Sequence, residues 1–245
     1  MADSALVLLH PFPLSSSYWS AEKEALGKRF SVVVPDLPGF GSAPVQTDPS
    51  IAGMAAEVAS RLDKQGISGP VIVAGVSMGG YVAFEFLRQF PQRVAGLALI
   101  STRASADTQE ARDSRLKTIE KIEAGDRATF EKAVLPKLLG QTTMGTNPAL
   151  VTRVKAELEK APAAGIIAAL RAMAGRVDST PLLAKIRCPV LVMAGTEDSF
   201  IPSAEAEAMA AIIPSAQLEL VARAGHLLNL EQPDLFLEIF NSWIR

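Results

Sequence analysis

Short, unbroken runs of Val, Ile and Leu recur along this chain, separated by longer stretches with helical spacing, and that rhythm leaves few folds open. The runs occupy residues 5–10 (ALVLLH), 30–36 (FSVVVPD), 70–77 (PVIVAGVS), 94–101 (VAGLALIS), 188–195 (CPVLVMAG) and 216–222 (AQLELVA). Most are continuous rather than alternating, as a strand must be when both of its faces are covered. Helices are expected over about residues 15–28, behind Asp48 as N-cap with Pro49 in the first turn, after Ser77, and over 233–244. In the last of these, Leu235, Phe236, Ile239, Phe240 and Trp243 share one helical face. Strand–helix alternation predicts an α/β chain with a mostly parallel, doubly wound sheet of about six strands.

The rhythm stops between about residues 103 and 183. Only helical periodicities appear there, at Leu116/Ile119/Ile122, Phe130/Ala133/Val134, Leu150/Val151/Val154/Leu158 and Ile166/Ile167/Leu170/Met173. Gly125, the MGTNP stretch (144–148) and Pro162 punctuate them. Residues 104–180 are therefore expected to form an all-helical insertion, with residues 1–103 and 181–245 making the α/β core.

Composition removes several classes of function. A net charge of −2 over 245 residues offers no basic surface for nucleic acid or anionic lipid. One cysteine, Cys188, excludes an internal disulfide, and two histidines make a His/Cys metal cluster implausible, so neither metal nor cofactor is expected. The N-terminal MADSALVLLH lacks a basic leader and reads as a first strand rather than a signal peptide. No apolar run approaches the ~18–20 residues a membrane span requires, and a cytoplasmic location is the default expectation.

The sequence GVSMG (75–79) fits G-x-S-x-G in the setting that pattern requires, with a strand before it and a helix after it. Ser77 then sits on a turn too sharp for bulky neighbours, and the helix N-terminus behind it favours developing negative charge. A serine at its ordinary pKa is a poor nucleophile and needs a base. His226, in AGHLLNLEQP just after the last strand, is the candidate, because strand C-termini of a parallel sheet share one edge. An acid must then orient the imidazole. Glu197 and Asp198 both follow the preceding strand, and Asp198 is preferred as the last acid before the chain turns toward Pro202. Asp36, in VVVPDLPGFGS, is read as structural, an acid bonding backbone amides in a Gly/Pro loop.

The order Ser77, Asp198, His226 matches that of α/β-hydrolases. Together LLHPFPLSSSYW, VVPDLPGFGSA, GVSMGG, LVMAGTEDSFIP and AGHLLNLEQPD resemble the esterase, lactonase and haloperoxidase-like branch of the α/β-hydrolase superfamily. The resemblance spans the whole chain and is strongest outside 104–180. It implies that the helical insertion is a cap over the active site. It also implies two oxyanion-hole donors, the backbone N–H of Met78 and that of Phe12, and a cis Phe12–Pro13 peptide. His10 is then a brace for this loop rather than a base. Two departures stand out. Only four residues precede Ala5, which implies a sheet without the family's leading hairpin. Pro11 stands where relatives keep glycine, which leaves open whether the Phe12 amide is correctly aimed.

Serine as nucleophile disfavours epoxide hydrolase and haloalkane dehalogenase chemistry, which use aspartate at this position. It favours acyl-enzyme cleavage of small esters or lactones. The alternatives are a carbon–carbon bond hydrolase of diketones, a cofactor-free perhydrolase or haloperoxidase and, last, a non-catalytic small-molecule receptor. Phe12, Leu14, Met78, Phe200, Leu227 and Leu228 are candidates for an apolar lining. Arg103, Arg171 and Arg176 are candidates to meet an anionic acyl group, with a solvated surface as the favoured reading of all three. Oligomeric state is left open.

Overall fold

The computed structural model of the chain describes residues 5–244. Six strands form one sheet in the order β2-β1-β3-β4-β5-β6, and every neighbouring pair is parallel. They are β1 Leu6–Leu9, β2 Val32–Val33, β3 Val71–Val76, β4 Val94–Ile100, β5 Val190–Gly195 and β6 Ala216–Val221. The strands β1, β3 and β5 are buried at every position, which accounts for their unbroken apolar sequence. β6, at the sheet edge, is mostly half-buried, with Gln217 and Leu220 facing water and only Val221 fully buried.

Helices cover both faces. In chain order they are α1 Ser20–Leu26, α2 Ile51–Lys64, α3 Met78–Gln89, α4 Gln109–Glu123, α5 Arg127–Leu138, α6 Gln141–Thr146, α7 Pro148–Lys160, α8 Ala163–Ala174, α9 Thr180–Leu183, α10 Ser203–Ile212, α11 Leu228–Glu231 and α12 Pro233–Trp243. The start of α2 corrects the expected cap. Ser50, in extended backbone, accepts the Gly53 N–H at 3.1 Å, so the cap lies two residues beyond Asp48 and the helix begins at Ile51.

Helices α4 to α8 lie between β4 and β5, and no strand interrupts them. Side chains cap three of them: Thr108 accepts Ala111 N–H, Asp126 accepts Thr129 N–H and Asn147 accepts Leu150 N–H. Ile119 and Ile122 of α4 are buried as their spacing predicts, whereas Leu116 is 48% exposed. Helix α6 had no apolar period to announce it. Among the described residues, no helix is long and apolar enough to cross a membrane.

Register brings the strand ends level. Leu9 pairs with Gly75, Val76 with Ile100, and Gly195 with Val221. From β1 the chain runs first to β2 on one side and later to β3 on the other. The loops after β1 and β3 therefore diverge at the point where doubly wound sheets open a crevice.

Candidate active site

Ser77 follows the last residue of β3 and has φ 54° and ψ −113°, a backbone region that costs a non-glycine residue energy. The surroundings hold it there. Ser77 N–H bonds the Ile100 carbonyl at 2.9 Å, and the Ser77 carbonyl accepts Thr102 Oγ1 at 2.9 Å and the amides of Gly80 and Tyr81. The flanking glycines are required by close approach. A Cβ on Gly79 would collide with the Leu9 carbonyl, and one on Gly75 with the Gly79–Gly80 backbone.

The loop after β1 lies alongside. Leu37 N–H donates to His10 Nε2 at 2.9 Å, so the ring proton resides on Nδ1 and is given to the Pro11 carbonyl at 3.1 Å. Burial lowers the His10 pKa from 6.5 to about 4, against smaller upward effects from Pro11 and Asp36. His10 is thus a neutral brace. The Pro11 carbonyl also accepts Leu14 N–H at 3.0 Å, so Pro11 takes part in the loop through the one backbone group that any residue supplies. The Phe12–Pro13 peptide is cis. Among the described residues, neither the Phe12 nor the Met78 N–H is taken by a protein acceptor. Asp36 accepts the amides of Ser16 and Ser42 and the Ser42 hydroxyl. Burial raises its pKa, but these bonds outweigh it and carry the group down to about 2.

On the other side, His226 Nδ1 lies 2.8 Å from Asp198 Oδ2, with both side chains buried. Asp198 Oδ1 accepts the amides of Phe200 (2.8 Å) and Ile201 (2.9 Å). With Nδ1–H donated to the carboxylate, Nε2 keeps its lone pair. Glu197 points elsewhere, accepting Thr142 N–H and Thr142 Oγ1 at the start of α6. A residue the sequence did not suggest, Glu231, clamps the His226 loop by accepting Gly225 N–H at 2.9 Å and Gly140 N–H at 2.8 Å.

Phe12, Ser77 and His226 line one cavity of about 420 Å³. The helices between β4 and β5 supply much of the remaining wall, including Phe130, Val134, Leu170 and Met173. Of the expected apolar lining, Phe12 and Phe200 are present, while Met78, Leu14, Leu227 and Leu228 belong to the hydrophobic core. The three candidate arginines part company. Arg103 lines the cavity, Arg171 pairs with Glu123 on the surface, and Arg176 is buried against Asp107 with its guanidinium 4.2 Å from the Tyr81 ring centre. Among the described residues, no cluster of three or more His, Cys, Asp or Glu could hold a metal ion.

The sequence model of the alpha/beta hydrolase family matches residues 6–239. The chain belongs to that family. A thermophilic esterase from Thermogutta terrifontis, solved with malate bound, superimposes on this hydrolase chain with a TM-score of 0.95 at 36% identity, covering 100% of this chain and 90% of that one. The pimeloyl-[acyl-carrier protein] methyl ester esterase of Aeromonas hydrophila is 29% identical over 98% of this chain and 94% of its own length. The 3-oxoadipate enol-lactonase 1 of Acinetobacter baylyi is 26% identical over 98% and 88% respectively.

Proposed function

We propose that this alpha/beta hydrolase cleaves carboxylic esters or lactones of small molecules through an acyl-enzyme intermediate. Ser77 is the nucleophile, His226 the general base and Asp198 the acid that orients it. The single observation carrying this reading is the buried 2.8 Å bond between His226 and Asp198, on a cavity whose wall also includes the strained Ser77. The names of the relatives, an esterase and an enol-lactonase, support the same reaction class.

Ser77 Oγ attacks the carbonyl carbon while His226 Nε2 takes the hydroxyl proton. The carbonyl oxygen becomes an oxyanion and is met by the free amides of Phe12 and Met78, the latter also at the positive end of α3. Collapse of the tetrahedral species breaks the bond to the leaving oxygen, which receives the proton from His226 and departs as an alcohol. Water then attacks the acyl-enzyme by the same route, releasing the acid and restoring Ser77. Asp198 holds the imidazole by Nδ1 and stabilises the imidazolium in each half-reaction. Residues 104–180 serve as a cap that closes the acyl pocket and limits water.

Labelling with a serine-directed fluorophosphonate and turnover of 4-nitrophenyl acetate test this. Wild type is expected to label at Ser77 and to turn over, and Ser77→Ala to lose both, with kcat down by roughly 10⁴-fold or more. An unlabelled, inactive wild type would overturn the reading.

A further inference from the structure

The cavity over Ser77 is lined by Arg103, Arg115, Lys121 and Lys137 and by no aspartate or glutamate. The whole chain carries a net charge of −2, so positive charge has been gathered here against the sign of the molecule. Two carboxylates act on Arg103 from behind this wall, Asp107 and, with the smaller effect, Glu205. Asp107, in the segment joining β4 to α4, has a fully buried side chain. It receives Arg115 Nε at 2.6 Å on one oxygen and Arg176 Nη1 at 2.5 Å on the other.

Arg103 is the guanidinium that this carboxylate does not satisfy. Its Nη2 comes only to 3.6 Å from Asp107 Oδ1, and its Nε is buried without a hydrogen-bond partner. Tyr81, beside it, offers its hydroxyl as a hydrogen-bond partner and no formal charge. Arg176 also has an unpartnered Nε, but it is packed over the Tyr81 ring and is absent from the wall of this cavity. Arg103 therefore stands on the wall of the space the substrate enters as a partly desolvated cation whose contact with Asp107 is a long one. A guanidinium of that kind is best completed by a carboxylate.

The flank on which Arg103 lies sets which part of the substrate carries the anion. The leaving oxygen departs toward His226, whose ring is 5.2 Å from Phe200, with Lys137 over the far ring. Arg103 is instead beside Tyr81, one turn along α3 from Ser77, whose carbonyl accepts the Tyr81 amide. With the leaving oxygen assigned to the His226 flank, this flank is left to the acyl chain. Building on the serine-hydrolase reading above, we propose that Arg103 is the specificity residue of this site and that the preferred substrate bears a carboxylate on its acyl chain, as in a half-ester of a short dicarboxylic acid or a carboxylate-bearing lactone.

Two measurements test this. The first compares kcat/KM for mono-4-nitrophenyl glutarate and 4-nitrophenyl butyrate. The ratio is expected to favour the anionic ester in wild type, to fall by about tenfold or more in Arg103→Gln, mainly through KM, and to recover in part in Arg103→Lys. A ratio in Arg103→Gln within about twofold of wild type overturns the proposal. The second needs no turnover: calorimetric titration of glutarate into Ser77→Ala and into the same variant carrying Arg103→Gln. Salt-sensitive binding lost in the double variant supports the assignment. Equal binding by both, or binding by neither, overturns it. A wild type that neither labels at Ser77 nor turns over either ester counts instead against the serine-hydrolase reading, whatever the titration gives.

Discussion

Asp198 meets His226 through one oxygen, Oδ2 at 2.8 Å from Nδ1, while its other oxygen is pinned by the amides of Phe200 and Ile201. The loop leaving β5 thus fixes the rotation of the carboxylate, and the carboxylate fixes the ring. Asp198→Asn keeps an oxygen for the two amides but turns an NH₂ toward Nδ1. The imidazole proton must then move to Nε2, the nitrogen that the proposed mechanism uses as base. The expected result is a kcat reduced about 10³- to 10⁴-fold with KM and melting temperature close to wild type. Steady-state kinetics on a short ester checks this, and a kcat within about tenfold of wild type would remove Asp198 from its role.

Glu231 acts one step further out. Its two oxygens take the amides of Gly225 and Gly140, tying the residue before His226 to the residue before α6. Burial raises its pKa, with the bonds from Thr143 and these amides opposing that rise. Glu231→Gln has one oxygen for two donors, so one amide loses its partner. A stability loss of about 1–3 kcal/mol is expected, read from urea unfolding. Because the freed loop carries His226, kcat is expected to drop with it. Unchanged stability together with unchanged kcat would show that the clamp is incidental.

The parts of this fold visible in the sequence are those whose cause is local. Parallel strands buried on both faces must be continuously apolar, so β1, β3, β4 and β5 are legible. β2 shrinks to Val32–Val33 because it sits at the sheet edge, next to Pro35. Ser77 and the HPFP loop are legible because backbone chemistry dictates their residue types. Helix α10, SAEAEAMAAI, buries only Ala206 and Met209 and so carries too weak a stripe to be seen. The cavity wall is the least legible part. Phe130 and Val134 of α5 share the buried face that periodicity finds, but Lys137 and Arg115 reach the cavity from positions no period marks. Sequence proximity misleads here too. Leu227 and Leu228 adjoin His226, yet both are fully buried in the core, because that segment turns inward to begin α11.

The sharp turn at Ser77 gives a sharper test of local necessity. At Gly79 an added methyl would point into the Leu9 carbonyl, a backbone group of a central strand that cannot swing aside. Relief requires moving α3 away from β1, which also displaces Ser77 and the Met78 amide. Gly79→Ala is expected to lose about 1–3 kcal/mol or more of stability, and the folded fraction to lose most of its kcat. Gly145, whose Cβ would meet nothing within 4 Å, is the comparison, with Gly145→Ala expected to be neutral or slightly stabilising. Thermal melts of the two variants should separate clearly. Equal melting temperatures would mean that the Ser77 turn tolerates a side chain at Gly79.

His10 makes a prediction about acid. Burial holds its native pKa at about 4, whereas the same ring in the unfolded chain takes up a proton near pH 6.5. Between those values the unfolded state binds one more proton than the native state, so unfolding free energy falls as pH falls through that window and levels off below it. The total is about 3 kcal/mol. Asp36, held down to about 2 in the native state, adds a later loss that starts only as pH drops below its unfolded value near 3.9. His10→Gln removes the first of these. At pH 7 it should be less stable than wild type, because the Leu37 amide loses its ring acceptor. Toward pH 4 the difference should narrow by about 3 kcal/mol, since only wild type carries the protonation penalty. Urea unfolding of both proteins at pH 7, 5.5 and 4 measures the gap. A gap that stays constant across that range would mean that the native ring takes up its proton at the same pH as the unfolded chain, so that burial does not hold it neutral.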